Sequence, residues 1–398
     1  MQISQRQLFL NHVAQTSPAP IALEIERAEG CYLIDVNGKK YCDLISGISV
    51  SSLGHCHPKV VEAINNQAQR YMHTMVYGEY IQSPQVDLAK ALTDLLPDNL
   101  NSVYFVNSGA EALEGSLKLA KRVTGRTEII SFNNAYHGST HGALSIMGSE
   151  FFKNSFRPLL PDTRLISFNC VEDLQYITEK TACVVSEVIQ AEAGVQLPQN
   201  DFLKKLRNRC DEVGAMLILD EIQTGFGRTG SFFAFEQFGI VPDVLLLAKA
   251  MGGGMPIGAF IASKKHMDCF TENPVLGHIT TFGGNAVCCA ASLASLHEIS
   301  SNEIYKKAKH IEEIIKLHLQ HEAIKEIRSC GGLMAVEFGN NELNMKIISN
   351  AIRLGVITDW FLFCDTAMRL SPPLIITDYE LIDSCKKITE AIELSILK

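Results

Sequence analysis

Six short runs of apolar residues between positions 103 and 261 constrain the fold more than any other feature of the chain. They cover residues 103–106, 129–132, 182–185, 216–219, 244–247 and 257–261. Stretches of helical periodicity separate several of them, as at residues 111–123 and 201–213. Strands that are apolar on both faces and alternate with helices are typical of a mainly parallel sheet covered on both sides. We therefore expect an α/β fold with ligands bound beyond the carboxyl ends of the strands.

The segments on either side of this region have a different pattern. Near the start, Asn37-Gly38 separates two short runs with the residue preferences of strands, which predicts a β-hairpin. Near the end, helical periodicity at residues 290–299 and 304–319 precedes a short strand at residues 332–338. A last helix is predicted after Asp378. These elements indicate a second, smaller α+β unit beside the main sheet.

Charge and hydropathy narrow the classes of partner. The 35 basic residues are outnumbered by 44 acidic ones, and the formal net charge of −9 favours neither nucleic acid nor an anionic membrane surface. No apolar run approaches the roughly 18 residues that a membrane span requires. The 12 cysteines are scattered, and residues 1–11 lack the pattern of a secretion signal. We therefore expect free thiols and a cytoplasmic location.

The first candidate site follows the apolar run at residues 103–106. Its sequence is Asn107-Ser108-Gly109-Ala110-Glu111, directly before a predicted helix. Ser108 and Glu111 have the spacing of a capping box, so the motif can be a helix cap and nothing more. The same arrangement exposes backbone N–H groups at a helix N-terminus, where the helix dipole favours a phosphate. The residues alone leave both interpretations open.

Asp220 and Lys249 follow two further apolar runs and form the second candidate site. Asp220 and Glu221 come directly after residues 216–219, where a carboxylate is costly unless it meets a cation or a donor. The protonated ring nitrogen of pyridoxal phosphate (PLP) is such a partner. Lys249 follows residues 244–247, and burial there lowers the pKa of an amine, as a lysine that forms Schiff bases requires. The alternatives are a carboxylate that caps a turn and a lysine that emerges at a strand end, but the pair together favours the functional interpretation.

Eight short segments carry a resemblance to a known family. In chain order they are Leu53-Gly54-His55-Cys56-His57-Pro58, Asn107-Ser108-Gly109-Ala110-Glu111-Ala112, Ala135-Tyr136-His137-Gly138, Glu187-Val188-Ile189-Gln190-Ala191-Glu192, Asp220-Glu221-Ile222-Gln223-Thr224-Gly225-Phe226-Gly227-Arg228, Leu247-Ala248-Lys249-Ala250, Thr281-Phe282-Gly283-Gly284-Asn285 and Arg369-Leu370-Ser371-Pro372-Pro373. Over residues 20–373 the chain resembles the class III, or ω-aminotransferase-like, PLP enzymes of fold type I. This group contains acetylornithine, ornithine and 4-aminobutyrate aminotransferases. The resemblance implies a large PLP-binding domain at residues 55–289 and a smaller α+β domain built from residues 1–54 and 290–398.

The resemblance implies roles toward the cofactor for matching residues. Lys249 would carry PLP as a Schiff base, and Asp220 would pair with the ring nitrogen. Tyr136 would stack on the ring, Gln223 would contact its phenolic oxygen, and Ser108-Gly109-Ala110 would bind the phosphate. The complete set of cofactor-binding residues implied by the family is Ser108, Gly109, Ala110, Tyr136, His137, Glu187, Asp220, Gln223, Lys249 and Thr281.

The resemblance also implies how substrates bind and how the chains assemble. Arg369 would hold a substrate carboxylate by a bidentate contact, and Glu192 would pair with Arg369 when no carboxylate is present. Ile48 and Ser139 would lie at the substrate pocket. Thr281 would reach the phosphate of the cofactor in a neighbouring subunit, which implies a homodimer.

Two positions depart from the pattern of ornithine-type and 4-aminobutyrate-type enzymes. Many relatives have an Arg where this chain has Ser139, and a hydroxyl group cannot form the forked contact of Arg with a second carboxylate. Ile48 stands where ornithine-type enzymes have an aromatic residue, which predicts a more apolar donor pocket. His141 and Arg164 are candidates to replace the missing Arg. The sequence therefore leaves the physiological donor and acceptor open.

The predicted activity is the ping-pong transfer of an amino group from an amine or ω-amino acid to a 2-oxo acid, with Lys249 as nucleophile and proton carrier. A 2,2-dialkylglycine decarboxylase-type enzyme or an aminomutase is the alternative within the fold. A NAD-dependent oxidoreductase is the alternative from another class, because residues 225–230 match G-x-G-x-x-G, although no long helix is predicted to follow. A PLP-binding protein without catalysis is disfavoured, because it would not need Glu192 and Arg369. His55-Cys56-His57 predicts a turn rather than a metal site.

Overall fold

A computed structural model of the chain describes residues 4–397. Its strands are β1 Ile25–Glu29, β2 Tyr32–Asp35, β3 Lys40–Asp43, β4 Ser102–Val106, β5 Glu128–Phe132, β6 Thr163–Ile166, β7 Thr181–Glu187, β8 Met216–Asp220, β9 Val244–Leu247, β10 Gly258–Ala262, β11 Glu326–Cys330, β12 Leu333–Glu337, β13 Val356–Ile357, β14 Asp359–Phe361 and β15 Cys364–Leu370. Its helices are α1 Gln5–His12, α2 Ser46–Ser49, α3 Pro58–Arg70, α4 Ser83–Thr93, α5 Gly109–Thr124, α6 His141–Ser145, α7 Glu150–Lys153, α8 Phe202–Val213, α9 Lys264–Met267, α10 Ala286–Ser301, α11 Lys307–His318, α12 Asn341–Arg353 and α13 Asp378–Ile396.

The central sheet has seven strands in the order β4-β10-β9-β8-β7-β5-β6. Its neighbouring strands are parallel except at β10, which runs antiparallel to both β4 and β9. The predicted mainly parallel sheet is thus confirmed, and six of its strands lie within two residues of the predicted runs. Strand β6 was not predicted, because the exposed Arg164 interrupts the apolar pattern at this edge of the sheet.

Alternate residues of the central strands enter two separate hydrophobic clusters, one on each face of the sheet. In β8, Leu217 and Leu219 belong to one cluster, whereas Met216 and Ile218 belong to the other. Helix α8 packs into the first cluster and helix α5 into the second. Both faces are therefore covered, which explains why these strands are apolar throughout.

Two smaller four-stranded sheets accompany the central one. The first has the order β1-β2-β3-β13, so that the predicted hairpin around Gly38 pairs in parallel with a strand from the last part of the chain. The second has the order β11-β12-β15-β14. The predicted helix at residues 304–319 begins with a separate 3₁₀ turn, Ile304–Lys306, before α11. The domain boundaries after residues 54 and 289 stay a prediction.

The cysteines and the helices bear on two further expectations. All 12 cysteines lie in the described part of the chain, and each is a free thiol, as predicted. Across residues 4–397, no helix combines the length and the apolar character that crossing a bilayer requires.

Candidate active site

A cavity of about 480 Å³ opens at the carboxyl edge of the central sheet. Each of five strands places a lining residue at or just beyond its end: Ser108 follows β4, Tyr136 follows β5, Glu187 ends β7, Asp220 ends β8 and Lys249 follows β9. This is the edge at which parallel α/β sheets bind ligands. The fold therefore brings together residues that are far apart in the sequence.

Helix α5 points its N-terminus at this cavity. Ser108, Gly109 and Ala110 all line it, and Ser108 caps the helix by accepting a hydrogen bond from the Glu111 N–H at 3.2 Å. The predicted capping box is wrong in one detail, because the Glu111 carboxylate accepts from the Asn107 N–H at 2.8 Å rather than from Ser108. The N–H groups of Gly109 and Ala110 belong to the first turn, where no intrahelical carbonyl can reach them. They are available to an anion in the cavity.

Asp220 and His137 form a buried pair behind the cavity. Oδ2 of Asp220 lies 2.7 Å from Nδ1 of His137, and Oδ1 accepts from the Ile222 N–H at 2.9 Å. Both side chains are almost fully buried and line the cavity. Nε2 of His137 is buried and has no hydrogen-bond partner within residues 4–397. A polar ligand in the cavity would relieve this unsatisfied group.

Glu187 connects two walls of the cavity. Its Oε1 accepts from the Tyr136 N–H at 3.2 Å and its Oε2 from the Ala191 N–H at 2.8 Å. Burial raises its pKa to about 7, helped by the nearby Asp220 and opposed by His137. One carboxylate oxygen thus holds the backbone of the predicted ring-stacking residue, Tyr136, and the other holds the turn that follows Glu187 itself.

Lys249 begins a 3₁₀ turn, Lys249–Gly252, directly beyond β9. Its backbone has a φ of 48°, in the left-handed region that few residues other than glycine adopt. Burial lowers the pKa of its amine; the negative charge of Glu192 opposes this effect and the positive charge of Arg369 adds to it. The result is an amine that loses its proton more readily than a lysine in water.

Glu192 and Arg369 form a bidentate ion pair, which we call the gate pair. The two carboxylate oxygens of Glu192 are each 2.8 Å from a terminal nitrogen of Arg369, and both side chains are almost fully buried. Gln223 lies beside them, because its amide nitrogen donates to Oε1 of Glu192 at 3.3 Å. Such paired, buried charges are strong and geometrically specific contacts. The predicted partners therefore meet.

Three other predicted residues lie at different distances from the cavity. Ser139 lines it, and its hydroxyl group is 3.2 Å from that of Tyr136. Ile48 is partly buried and is not among the lining residues, a place that Val50 takes two positions later. Thr281 is exposed and lies outside the cavity of its own chain.

Sequence reasoning did not single out several residues that the structure places at the site. Ile222, Met255 and Val50 line the cavity, and Asp359 contacts Arg369. Ile222 lies inside one of the matching segments, so adjacency to Asp220 was an available signal. The relation of Asp359 to Arg369 depends on the register between β14 and β15, which the sequence does not reveal.

Two further motifs have structural explanations. The glycine-rich loop at residues 225–230 leads to a short 3₁₀ helix, Ala234–Phe238, and not to the α-helix that dinucleotide binding requires. Its Arg228 is fully buried and donates to the carbonyl groups of Gly332 and Pro372. His55 pairs with Asp43 at 2.9 Å. Within the described residues, no group of three or more His, Cys, Asp or Glu could hold a metal ion.

A PLP enzyme needs a lysine for the aldehyde, an acid for the ring nitrogen and a cradle for the phosphate, and this fold brings all three to one cavity. The class that fold and site define is that of PLP-dependent transferases of fold type I. Comparison with known proteins gives the family: the profile of the aminotransferase class-III family matches residues 13–392. The chain belongs to the class III aminotransferases, and it is a PLP-dependent transaminase.

Individual relatives agree with this assignment. The chain is 37% identical over 387 residues to the acetylornithine aminotransferase of Methanopyrus kandleri, and the aligned region covers 96% of this chain and 97% of the relative. It is 39% identical over 363 residues to the putrescine aminotransferase of Pectobacterium atrosepticum, which covers 87% of this chain and 77% of the relative. The ornithine aminotransferase of Toxoplasma gondii, with partial occupancy of PLP at its active site, superposes with a TM-score of 0.90 at 29% identity, covering 97% of this chain and 92% of that one.

Proposed function

We propose that the enzyme transfers the amino group of a primary amine or an ω-amino acid to a 2-oxo acid, in two half-reactions at one site. The observation that carries this proposal is the environment of Lys249. Its amine lines the cavity together with Asp220, burial lowers its pKa, and the charges of the gate pair act on it as well. Such an amine can attack a carbonyl group, and it can accept and return a proton more readily than a lysine in water. We therefore assign to Lys249 both the covalent link and the proton transfer at the substrate carbon.

The residues of the cavity support the predicted cofactor contacts. PLP supplies an aldehyde that links reversibly to amines and a ring that withdraws electrons from the substrate carbon. The N–H groups of Gly109 and Ala110, with the Ser108 hydroxyl, would hold the phosphate. Asp220 would face the ring nitrogen, and His137 keeps the Asp220 carboxylate in place through its 2.7 Å contact.

Three further residues belong to the proposed cofactor site. Tyr136 would stack on the ring, in a position that Glu187 supports through the Tyr136 N–H. Gln223 would contact the phenolic oxygen through its amide nitrogen, which has two hydrogens and gives one of them to Oε1 of Glu192 at 3.3 Å, while its amide oxygen accepts from Nη1 of Arg369 at 3.4 Å. Both carboxylate oxygens of Glu187 already accept hydrogen bonds from the backbone. Its contribution to cofactor binding is therefore to hold the cavity wall around Tyr136, not to contact the cofactor itself.

The gate pair gives one site two substrate specificities. With an amine donor that has no carboxylate, Glu192 stays on Arg369 and neutralises its charge. With a 2-oxo acid, the substrate carboxylate takes the place of Glu192 on the Arg369 fork. The two half-reactions thus differ in the position of one glutamate side chain.

The wall around Ser139 favours substrates without a second carboxylate. Lys249 is the one Lys or Arg among the described residues that line the cavity, and Arg369, which is outside this lining, is already assigned to the first carboxylate. Arg164, a candidate replacement for the missing Arg, is half-exposed and pairs with Glu128 at 3.4 Å, away from the cavity. His141 is exposed and does not line the cavity either. We therefore propose that pyruvate-like acceptors are preferred over 2-oxoglutarate, in a pocket whose apolar side includes Val50.

A homodimer is part of the proposal. Exposed apolar side chains are concentrated in two segments, residues 72–81 and 275–282, the second of which contains Thr281; they include Met72, Met75, Ile81, Val275, Leu276, Ile279 and Phe282. The two chain segments involved are in contact, since the rings of His73 and Phe282 are 4.8 Å apart. A patch of this kind is typical of a protein–protein interface. Thr281 would cross that interface and contact the phosphate of the cofactor in the partner.

We also propose a cytoplasmic location. The 12 free thiols, most of them buried, suit a reducing compartment.

A panel of amine donors, run separately against pyruvate and 2-oxoglutarate, tests the proposed activity. We expect amine-dependent formation of alanine from pyruvate, with a kcat/KM at least roughly tenfold above that for 2-oxoglutarate. Release of carbon dioxide in proportion to turnover would instead identify a decarboxylase, and rearrangement of a single substrate would identify an aminomutase. Equal use of both acceptors would contradict the assignment of Ser139.

A further inference from the structure

A second carboxylate faces the arginine of the gate pair. Strand β14 runs antiparallel to β15, and its first residue, Asp359, lies directly opposite Arg369. Oδ1 of Asp359 is 3.0 Å from Nε of Arg369. The angle of approach does not give a hydrogen bond, so the contact is an ion pair. Opposite charges directly across an antiparallel pair stabilise each other.

The two carboxylates hold different edges of the guanidinium group. Glu192 occupies the two terminal nitrogens, each at 2.8 Å. Asp359 faces Nε, and the carbonyl group of Trp360, the next residue of β14, accepts from Nη2 at 2.9 Å. The Phe361 ring lies under the group, with its centre 4.6 Å from Cζ of Arg369. A substrate carboxylate that displaces Glu192 therefore leaves the contacts from β14 in place.

We propose that Asp359 is a positioning residue for the acceptor half-reaction, which holds Arg369 in place while a substrate carboxylate replaces Glu192. This inference rests on the proposed role of the gate pair. In the amine half-reaction, Glu192 itself anchors Arg369, so the contribution of Asp359 is not needed there. Through Arg369, Asp359 thus strengthens the binding of substrates that carry a carboxylate and does not change the binding of carboxylate-free amines.

The charges around Asp359 make this role depend on pH. Three charged groups face it: Arg369 from β15, Glu192 from the turn after β7, and Asp43 at the end of β3, which also pairs with His55. Burial raises the pKa of Asp359 to about 6; Arg369 opposes this effect, and Glu192 and Asp43 add to it. The carboxylate is charged above this pH and neutral below it. The anchor therefore weakens as the pH falls through about 6, and the KM of the 2-oxo acid rises.

The test compares Asp359→Asn and Asp359→Ala with Asp365→Asn, a matched control at an exposed aspartate of the neighbouring strand β15. Each half-reaction of the holoenzyme is followed separately by cofactor absorbance, with putrescine as the carboxylate-free donor and pyruvate as the acceptor. We expect Asp359→Ala to raise the KM for pyruvate about tenfold and Asp359→Asn to raise it less. The putrescine half-reaction should stay within about twofold of the wild type, and the control should match the wild type in both.

Two further readouts separate positioning from a general structural role. The wild-type KM for pyruvate should rise on acidification below pH 6, and Asp359→Asn should lose this rise. The Kd of propanoate, a carboxylate that does not react, should increase in parallel with the KM for pyruvate. If Asp359→Ala fails to fold, Asp359→Asn and the pH profile of the wild type still distinguish a positioning role from a general structural role.

The outcomes distinguish this inference from the proposed function. A wild-type enzyme that performs neither half-reaction contradicts the proposed function itself. A wild-type enzyme that performs both, with variants that keep the same KM for pyruvate, Kd for propanoate and pH profile, overturns the role of Asp359 alone. Equal losses in both half-reactions overturn it as well, because they would show a general distortion of the site.

Discussion

Lys249 is held in a backbone conformation that side chains rarely adopt. Its φ of 48° costs about 1 kcal/mol in an L-residue, and such strain persists where surrounding contacts fix the chain. The preceding β9 is fully buried, and Ala250 and Met251 after it are buried too. The amine is consequently presented at a fixed point of the cavity wall.

The first prediction concerns the chemistry of Lys249. Lys249→Ala should lower turnover by roughly 10³-fold or more, because both the covalent link and the proton transfer depend on the amine. Borohydride reduction of the wild type, followed by peptide mass spectrometry, should place the cofactor on the peptide that contains Lys249. Lys265→Ala, at an exposed lysine, is the control and should keep full activity. A label on another lysine contradicts the assignment.

The second prediction concerns Glu221, the buried neighbour of Asp220. Its carboxylate accepts from the Ala234 and Phe235 N–H groups at 2.7 and 2.6 Å, and burial raises its pKa from 4.5 to about 8. The folded chain therefore binds this proton more tightly than the unfolded chain, so Glu221 makes stability fall as the pH rises from about 4.5 to 8. Glu221→Gln lacks this titration. The stability of Glu221→Gln does not fall with this titration, so the difference in unfolding free energy between wild type and variant should shrink by roughly 3 to 4 kcal/mol between pH 5 and pH 8.

Thermal and urea unfolding across this pH range measure how the titration of Glu221 changes stability. The cofactor state must be the same in all samples. Glu322→Gln, at an exposed glutamate, should give a curve parallel to that of the wild type. A parallel curve for Glu221→Gln as well would mean that Glu221 has an ordinary pKa in the folded protein.

At the scale of elements, the site depends on how closely the α5 N-terminus approaches the wall that carries Tyr136. Gly138 has a φ of 125°, and a Cβ at this position would lie 2.7 Å from Cβ of Ala110. Real Cβ atoms do not approach this closely, so one of the two elements must move if a side chain is added. Glycine is required here by both the backbone conformation and the lack of space.

The third prediction follows from this contact. Gly138→Ala should push the wall away from α5 and weaken PLP binding about tenfold or more, since both the phosphate cradle and the ring wall shift. The matched control is Gly125→Ala, at the other end of α5, where φ is 70° but no atom lies within 4 Å of a Cβ. The control should lose about 1 kcal/mol of stability and keep its affinity for PLP. Titration of PLP into the cofactor-free protein measures the affinity of each variant. Equal affinities for the two variants would contradict the prediction.

Elements and motifs differ in how well the sequence predicts them. The buried strands were predicted because consecutive residues such as Leu217 and Ile218, which point to opposite faces of the sheet, are both apolar. This pattern can be recognised in the sequence without knowing which strands are neighbours. Asp220 and Lys249 were predicted because charge directly after such a run is costly. Strand β6 and the contact between Asp359 and Arg369 were not predicted, because edge strands have mixed patterns and cross-strand partners depend on register.

For the molecule as a whole, the site is assembled from segments of the entire chain. Glu192 follows a strand of the central sheet, Arg369 belongs to the second small sheet, and Val50 follows the first small sheet. The gate pair therefore joins the central sheet to the last part of the chain through a buried ion pair. The apolar patch around Thr281 extends this assembly to a second copy under the proposed function.

The proposal that each chain completes the site of its partner leads to the fourth prediction. We expect the chain to sediment as a dimer, and Ile81→Asp should weaken the dimer because Ile81 is 96% exposed in the single chain. Tyr379→Asp, at a residue 79% exposed on α13, is the control and should leave the dimer intact. Unchanged sedimentation of Ile81→Asp would remove the patch from the interface.

The sharper form of this prediction uses two variants that are each inactive. Thr281→Glu should lose PLP binding in the partner site, because a carboxylate repels the phosphate, and Lys249→Ala lacks the essential amine. A heterodimer of the two, purified with separate tags, keeps one site with Lys249 from one chain and Thr281 from the other, so it should recover about half of the wild-type turnover. The reciprocal heterodimer, wild type with the double variant, should be inactive, because its single site with Lys249 receives the altered residue 281. If Thr281 served its own chain instead, the two heterodimers would exchange their behaviour, so this pair of measurements decides which chain completes the site.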